Sequence, residues 1–330
     1  MRTLPAILLH GLFLVTAFAG LAQPTPKRAL LALSKTDHTL AIVDPGTLKV
    51  IARLPVGSDP HEVVASADGT KAYVTIYGGG TLHEINVLDV AGQKALPTID
   101  TRPLYGPHGI VFVDGKIWFS AEGSKAVGRI DPATGGLDWV MGTGQDRTHM
   151  IYVTPGGKRV YTTNITSGTV SILVDTLIRN REEWQHTVVP TARGSEGFDV
   201  SPDGAMLWTA ASENGVISII DLVAKKPVTQ IDAHVNGANR LKFTPDGRQV
   251  FVASLSTGEL TVIDAASRKE VKRLKIGRGA AGILMDLQGN RAFVACSADN
   301  YVAIVDLKTL EVTGHLDVGG TPDGLAWAGN

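Results

Sequence analysis

Three histidines stand at the same point of three successive segments. His61 in "SDPHEVVAS", His108 in "LYGPHGIVF" and His149 in "DRTHMIYVT" each come just before an apolar run. Imidazole is a ligand for zinc, iron, nickel or copper, and it moves protons near neutral pH. The recurrence therefore invites a metal reading and an acid–base reading. No H-x-x-H or H-E-x-x-H element accompanies the three, and no nucleophile motif, phosphate loop or dinucleotide fingerprint occurs.

What positions them is a repeat. Short β-branched runs close on aspartates at Asp44, Asp89, Asp131, Asp175, Asp221, Asp264 and Asp306, spaced by 45, 42, 44, 46, 43 and 42 residues. Units of this length, made of short strands and turns, predict an all-β, seven-bladed β-propeller of four-stranded blades. Turns such as "SADG", "SPDG" and "TPDG" join first to second strands, with glycine where a left-handed residue is needed. The closing aspartates begin the next turn and are expected to accept its backbone N–H groups. The first unit, "RALLALSKTDHTLAIVDPGTLKVIARLPVG", lacks a first strand, and "TPDGLAWAG" at the C-terminus supplies one. The C-terminal segment should thus be the innermost strand of the blade that the N-terminus begins, removing the open edge.

Aligning the first strands places His61, His108, His149, Glu196, Asn239, Ala281 and Asp323 at the upper mouth of the central channel, the face of the strand 4–1 and 2–3 connections. Neighbouring connections add Arg147, Arg193, Arg240 and Arg278, with Tyr77, Glu122, Asn164, Glu213, Ser256 and Asp299 on the second set of loops. Three readings stay open. The mouth is polar because it is wet; or His61, His108 and His149 hold a divalent metal; or the arginines hold a small anionic ligand with a histidine for proton transfer. His38 and His83 fall on the outer rim, and His186, His234 and His315 near fourth strands. Trp118, Trp208 and Trp327 should pack between blades. The charged insertion "IRNREEWQHT" (178–187) should be a solvated loop on the lower face, with a partner surface as the alternative.

Several repeats also carry a resemblance. "KAYVTIYGGGTLHEINVLD", "KRVYTTNITSGTVSILVD" and "RAFVACSADNYVAIVD" resemble the YVTN repeats of bacterial YncE-like, surface-layer-type propellers, a family similar to the haem-d1 domain of nitrite reductase. That resemblance covers nearly the whole chain and implies the propeller fold, with diverse roles. More locally, "PHGIVFVDGKIWFSAEGSKAVGRIDPATGG" resembles one repeat of streptogramin-B-lyase-type propellers, which are metal-dependent enzymes.

The first 22 residues, one arginine followed by an apolar run ending in small residues, read as a secretory signal peptide, leaving residues 23–330 as one propeller domain. A periplasmic or secreted monomer with no further membrane span is expected. With 31 Lys and Arg against 32 Asp and Glu, and no basic run, nucleic acid is not the expected partner. Cys296, the single cysteine, excludes an internal disulfide and a C-x-x-C-H haem attachment, and it sits in a strand run that should bury it. The expected function is a binding or scaffold protein whose small-molecule, metal or protein partner sits at the upper face. The alternative is a metal-dependent lyase or lactonase-like enzyme working through the mouth histidines.

Overall fold

The computed structural model describes residues 23–178, 181–286 and 288–329; the expected signal peptide lies outside them. Seven four-stranded antiparallel sheets are present. Blade 1 joins Pro322–Ala328 to Ala29–Ser34, Thr39–Asp44 and Lys49–Pro55. Blades 2 to 7 follow in chain order, with inner strands Pro60–Ala65, Pro107–Val113, Thr148–Val153, Ser195–Val200, Ala238–Phe243 and Ala280–Asp286. Pro322–Ala328 pairs with Ala29–Ser34, so the last strand of the chain closes the ring from the inside.

Burial follows from the stacking of blades. The second strand of blade 1 is buried at every position and the third at all but its ends, because a neighbouring blade covers each face. Continuous apolar runs suit strands in that position. Leu31 and Ile42 of blade 1, for instance, share a core cluster with Val74 and Ile76 of blade 2. Fourth strands alternate in exposure, as in Gly136–Gly142, and carry charge on the outer edge, as in "KEVKRLK" at 269–275. Charge on an exposed edge discourages strand addition. Trp118 and Trp208 are buried between blades, and Trp327 packs half-buried with its Nε1 donating to the Met285 carbonyl (2.9 Å). Cys296 is fully buried, and burial pushes its thiol up to about 12.

Six closing aspartates cap turns as expected: Asp44, Asp89, Asp131, Asp221, Asp264 and Asp306 each accept a backbone N–H within the following three residues. Asp175 does not follow them. Blade 4 runs on past it, in the ten-residue strands Thr169–Ile178 and Arg181–Pro190, and Asp175 pairs with Trp184 across that ladder. The insertion is therefore a hairpin extension and not the solvated loop expected from its charge; residues 179 and 180 lie outside the described residues. Its strands continue the ladder because the residues on either side of the tip already pair in register.

Candidate functional site at the channel mouth

Each mouth residue is the second residue of its inner strand, and the strand irregularity falls there. Pairing to the second strand skips between Pro60 and Val63, Pro107 and Ile110, Thr148 and Ile151, Ser195 and Phe198, and Ala280 and Ile283. Bulges of this kind free a side chain from the pleat and re-aim it. The carbonyls so released are caught by the neighbouring blade. Thr75 Oγ1 donates to the His108 carbonyl (2.8 Å), Ser120 to that of His149, and Thr163 Oγ1 to that of Glu196 (2.7 Å).

At the third inner-strand position four blades carry glycine: Gly109, Gly197, Gly282 and Gly324. A Cβ at Gly282 would stand 2.2 Å from the Asp323 carbonyl oxygen, and one at Gly197 2.3 Å from that of Asn239. The inner strands touch, so residues from different blades meet. The rings of His61 and His108 lie 4.8 Å apart, and those of His108 and His149 lie 3.7 Å apart.

Glu122, buried, anchors one side. Tyr77 donates its hydroxyl to Oε1, Arg147 Nε donates to the same oxygen (3.0 Å), and His149 Nδ1–H donates to Oε2 (2.6 Å). Burial would raise the Glu122 carboxyl, but hydrogen bonds from His149 and Tyr77 and the charge of Arg147 hold it down at about 2. Burial likewise works against a charged His149, yet Glu122 and Glu196 outweigh it and raise the imidazole above its ordinary value. His149 Nε2 lies 3.5 Å from Glu196 Oε1, ion-pair range without a hydrogen bond. Glu196 also takes Asn239 Nδ2 and Arg240, and Arg240 reaches across the channel to Glu62. Burial would raise Glu196 as well, but His149 and Arg240 lower it.

The other two histidines are neutral. Burial first, then the charge of His149, depresses His108 well below its usual value, and its Nδ1 has no hydrogen-bond partner. Burial and then Lys35 depress His61. Its Nε2 accepts from Lys35 Nζ (2.7 Å) while Nδ1–H donates to the Asp59 carbonyl (3.1 Å). Lys35 also stands 3.4 Å from Asp59 and 3.6 Å from Asp323.

These groups surround a cavity of about 290 Å³, lined by His61, Tyr77, His108, Arg147, His149, Glu196, Asn239, Arg240, Ala281 and Asp323, together with Lys35. Glu122 stands behind it. Arg193 and Glu213 form an exposed pair away from it (3.9 Å), Arg278 pairs with Asp299 (2.7 Å), and Asn164 is buried among Thr148, Thr169 and Ser171. Ser256 is exposed. Two residues escaped the sequence reading. Lys35 follows the second strand of blade 1 as Tyr77 and Glu122 follow theirs, and Glu62 occupies the same inner-strand position as Arg240. The three histidine rings meet at tilted contacts, 57° between His61 and His108 and 32° between His108 and His149, and among the described residues no group of three or more His, Cys, Asp or Glu is arranged to hold a metal ion.

The repeats and this mouth can be compared with known proteins. Residues 121–324, more than half of the chain, match the cytochrome D1 heme domain family. The chain belongs to that family. No curated protein matches it. Among solved structures it is similar to hydrazine synthase of Kuenenia stuttgartiensis (17% identity, 81% of this chain and 89% of that one, TM-score 0.67). It is also similar to the dihydro-heme d1 dehydrogenase NirN (16% identity, 92% and 75%, TM-score 0.64) and to the periplasmic gluconolactonase of Pseudomonas aeruginosa (16% identity, 91% and 99%, TM-score 0.72). At these identities the likeness establishes the fold.

Membership in the family raises the question of a haem at this mouth, and the residues do not fit one. His108 and His149 are 2% and 3% exposed and in ring contact, and His61 has both ring nitrogens engaged. The cavity falls just below the range of roughly 300–1,000 Å³ typical of drug-sized ligands, and most of its lining residues carry polar or charged groups. Among the described residues, no helix is long and apolar enough to cross a membrane.

Proposed function

We propose that this chain is an exported propeller that binds a small, polar, carboxylated ligand at the upper channel mouth, with residues 1–22 as its signal peptide. The observation that carries the reading is the cavity of about 290 Å³ into which three blades bring Lys35, Arg147 and Arg240. Arg240 is held by Glu62 and Glu196, whereas half-exposed Arg147 gives Nε to Glu122 and keeps its terminal nitrogens for a bidentate carboxylate contact. Asp323, Asn239 and Glu196 are placed to meet hydroxyl groups. Isothermal titration of the mature protein with gluconate and a panel of small mono- and dicarboxylates tests this. Saturable binding that is lost in Arg147→Ala, with an unchanged circular dichroism spectrum, is the expected result. Binding by no member of the panel at millimolar concentration, or binding indifferent to both Arg147→Ala and Lys35→Ala, refutes it.

A second reading, hydrolysis of a sugar lactone, rests on His61. It is neutral, partly exposed and beside the Lys35 ammonium; once substrate draws Lys35 off Nε2, that nitrogen is the one to deprotonate water next to a cation. Acid release from glucono-δ-lactone, measured by pH-stat above the spontaneous rate and abolished in His61→Ala, supports it; equal rates for the two proteins remove it.

A further inference from the structure

The lower face carries a cavity of about 220 Å³ between blades 3 and 4. Its walls include three tryptophans. Trp118 comes from the second strand of blade 3, Trp139 from the fourth, and Trp184 from the extended hairpin of blade 4. The Trp139 and Trp184 rings lie 4.6 Å apart at 48°, and Trp118 lies 5.3 Å from Trp139. Trp118 is 2% exposed, whereas the other two are half-buried and leave part of each ring open.

Asp175 makes this cleft unlike the other interblade grooves. In six blades the equivalent aspartate is occupied in capping a turn. The hairpin extension of blade 4 removes that turn, and Asp175 is left in the ladder opposite Trp184 with no local N–H to accept. Its side chain is 6% exposed; one oxygen pairs with Lys158, and Oδ1 is buried without a hydrogen-bond partner. Trp118 Nε1 is likewise buried and unpartnered. A buried donor and a buried acceptor, both unmet, are each costly, and here the two residues that carry them line one cavity beside two half-buried aromatic rings.

We propose that this cleft binds a sugar ring. A pyranose offers a hydroxyl to accept from Trp118 Nε1, another to donate to Asp175 Oδ1, and a C–H face to lie on Trp139 and Trp184. Lys158, largely exposed, moves aside to admit it. A quaternary ammonium would also favour an aromatic wall with a carboxylate. It could not accept from Trp118, however, and it would meet Lys116, Arg129 and Lys158 at the same cleft. The site is independent of the channel mouth.

Tryptophan fluorescence and isothermal titration of the mature protein with glucose, N-acetylglucosamine, its β1,4-linked dimer and choline test the assignment. Saturable quenching by at least one sugar is expected, weakened tenfold or more in Asp175→Asn and in Trp184→Leu, and unchanged in Arg147→Ala. Asp175→Asn keeps the shape of the side chain, so a folding failure of the tryptophan variant does not decide the matter. Response to choline alone, response to none of the sugars, or sugar binding unaffected by Asp175→Asn overturns the proposal.

Discussion

Arg240→Met isolates the ion-pair chain that spans the channel. The Arg240 side chain is 7% exposed and pairs with Glu62 of blade 2 and Glu196 of blade 5, themselves 13% and 19% exposed. Methionine keeps much of the stem but removes the guanidinium, so two mostly buried carboxylates lose their shared cation. Removing one partner of a buried pair costs about 3–5 kcal/mol. Glu196 retains His149 and Asn239, which places the expected loss at the lower end, about 3 kcal/mol. For a chain of this length that is a fall in Tm of roughly 6 °C, at about 2 °C per kcal/mol. Urea unfolding followed by tryptophan fluorescence at pH 7 gives the free energy directly. Adding Glu62→Gln should return part of it, because the second change removes a charge that the first left unpaired. The pH dependence has a definite sign. The Glu196 carboxyl is depressed in the folded state, so its contribution is present above the unfolded value of about 4.3 and is lost as pH falls through the lower folded value. Arg240 supplies part of that depression. The gap between wild type and variant is therefore widest at neutral pH and narrows under acid conditions. An Arg240→Met protein within about 0.5 kcal/mol of wild type, or a gap that widens on acidification, refutes the reasoning.

Truncation after Gly320 removes the inner strand of blade 1 and uncovers Ala29–Ser34, every residue of which is buried; scanning calorimetry should show a sharply lower Tm. Gly282→Ala sets a Cβ against the Asp323 carbonyl oxygen and should cost about 1–3 kcal/mol in chemical denaturation, while Gly314→Ala, with its nearest neighbour at 3.8 Å, changes little. Glu122→Gln should lower the deprotonation pH of His149 in an NMR titration. In the wild type the raised imidazole stabilises the fold below its unfolded value of about 6.5, and that contribution disappears as pH rises through the folded value. Cys296, buried and pushed up to about 12, should react with a disulfide reagent only after denaturant is added.

The ring was legible in the sequence because its determinants are local and repeated. Asp44 and Asp306 cap the same turn by the same short hydrogen bond, and a missing first strand at one end is answered by a spare one at the other. The mouth was only half legible. The repeat brings His61, His108 and His149 to equivalent points, but their contact depends on glycines such as Gly282 and Gly197, whose small size matters only once the next blade's carbonyl is in place. The Glu62–Arg240 pair joins residues 178 apart in the chain, and nothing near either one announces the other. Asp175 misled for the opposite reason. It carries the repeat's signal intact, and an insertion just beyond it abolishes the turn that the signal serves.

Equivalence of position and inequivalence of residue together argue against a mouth that is polar merely because it is wet. A wet ring needs polar residues at seven places with no preference for which stands where. Here the imidazoles occupy three consecutive blades in ring contact, the carboxylate of Glu196 follows them, and Ala281 stands on the far side. Desolvation depresses His108 while Glu122 and Glu196 raise His149 beside it. Two like residues in ring contact are thus pushed in opposite directions, and Glu122 supplies part of that difference from outside the cavity. A sevenfold scaffold has been made one-sided at a single layer, and a ligand with a carboxylate at one end and hydroxyls at the other is the kind of molecule that a one-sided layer can orient.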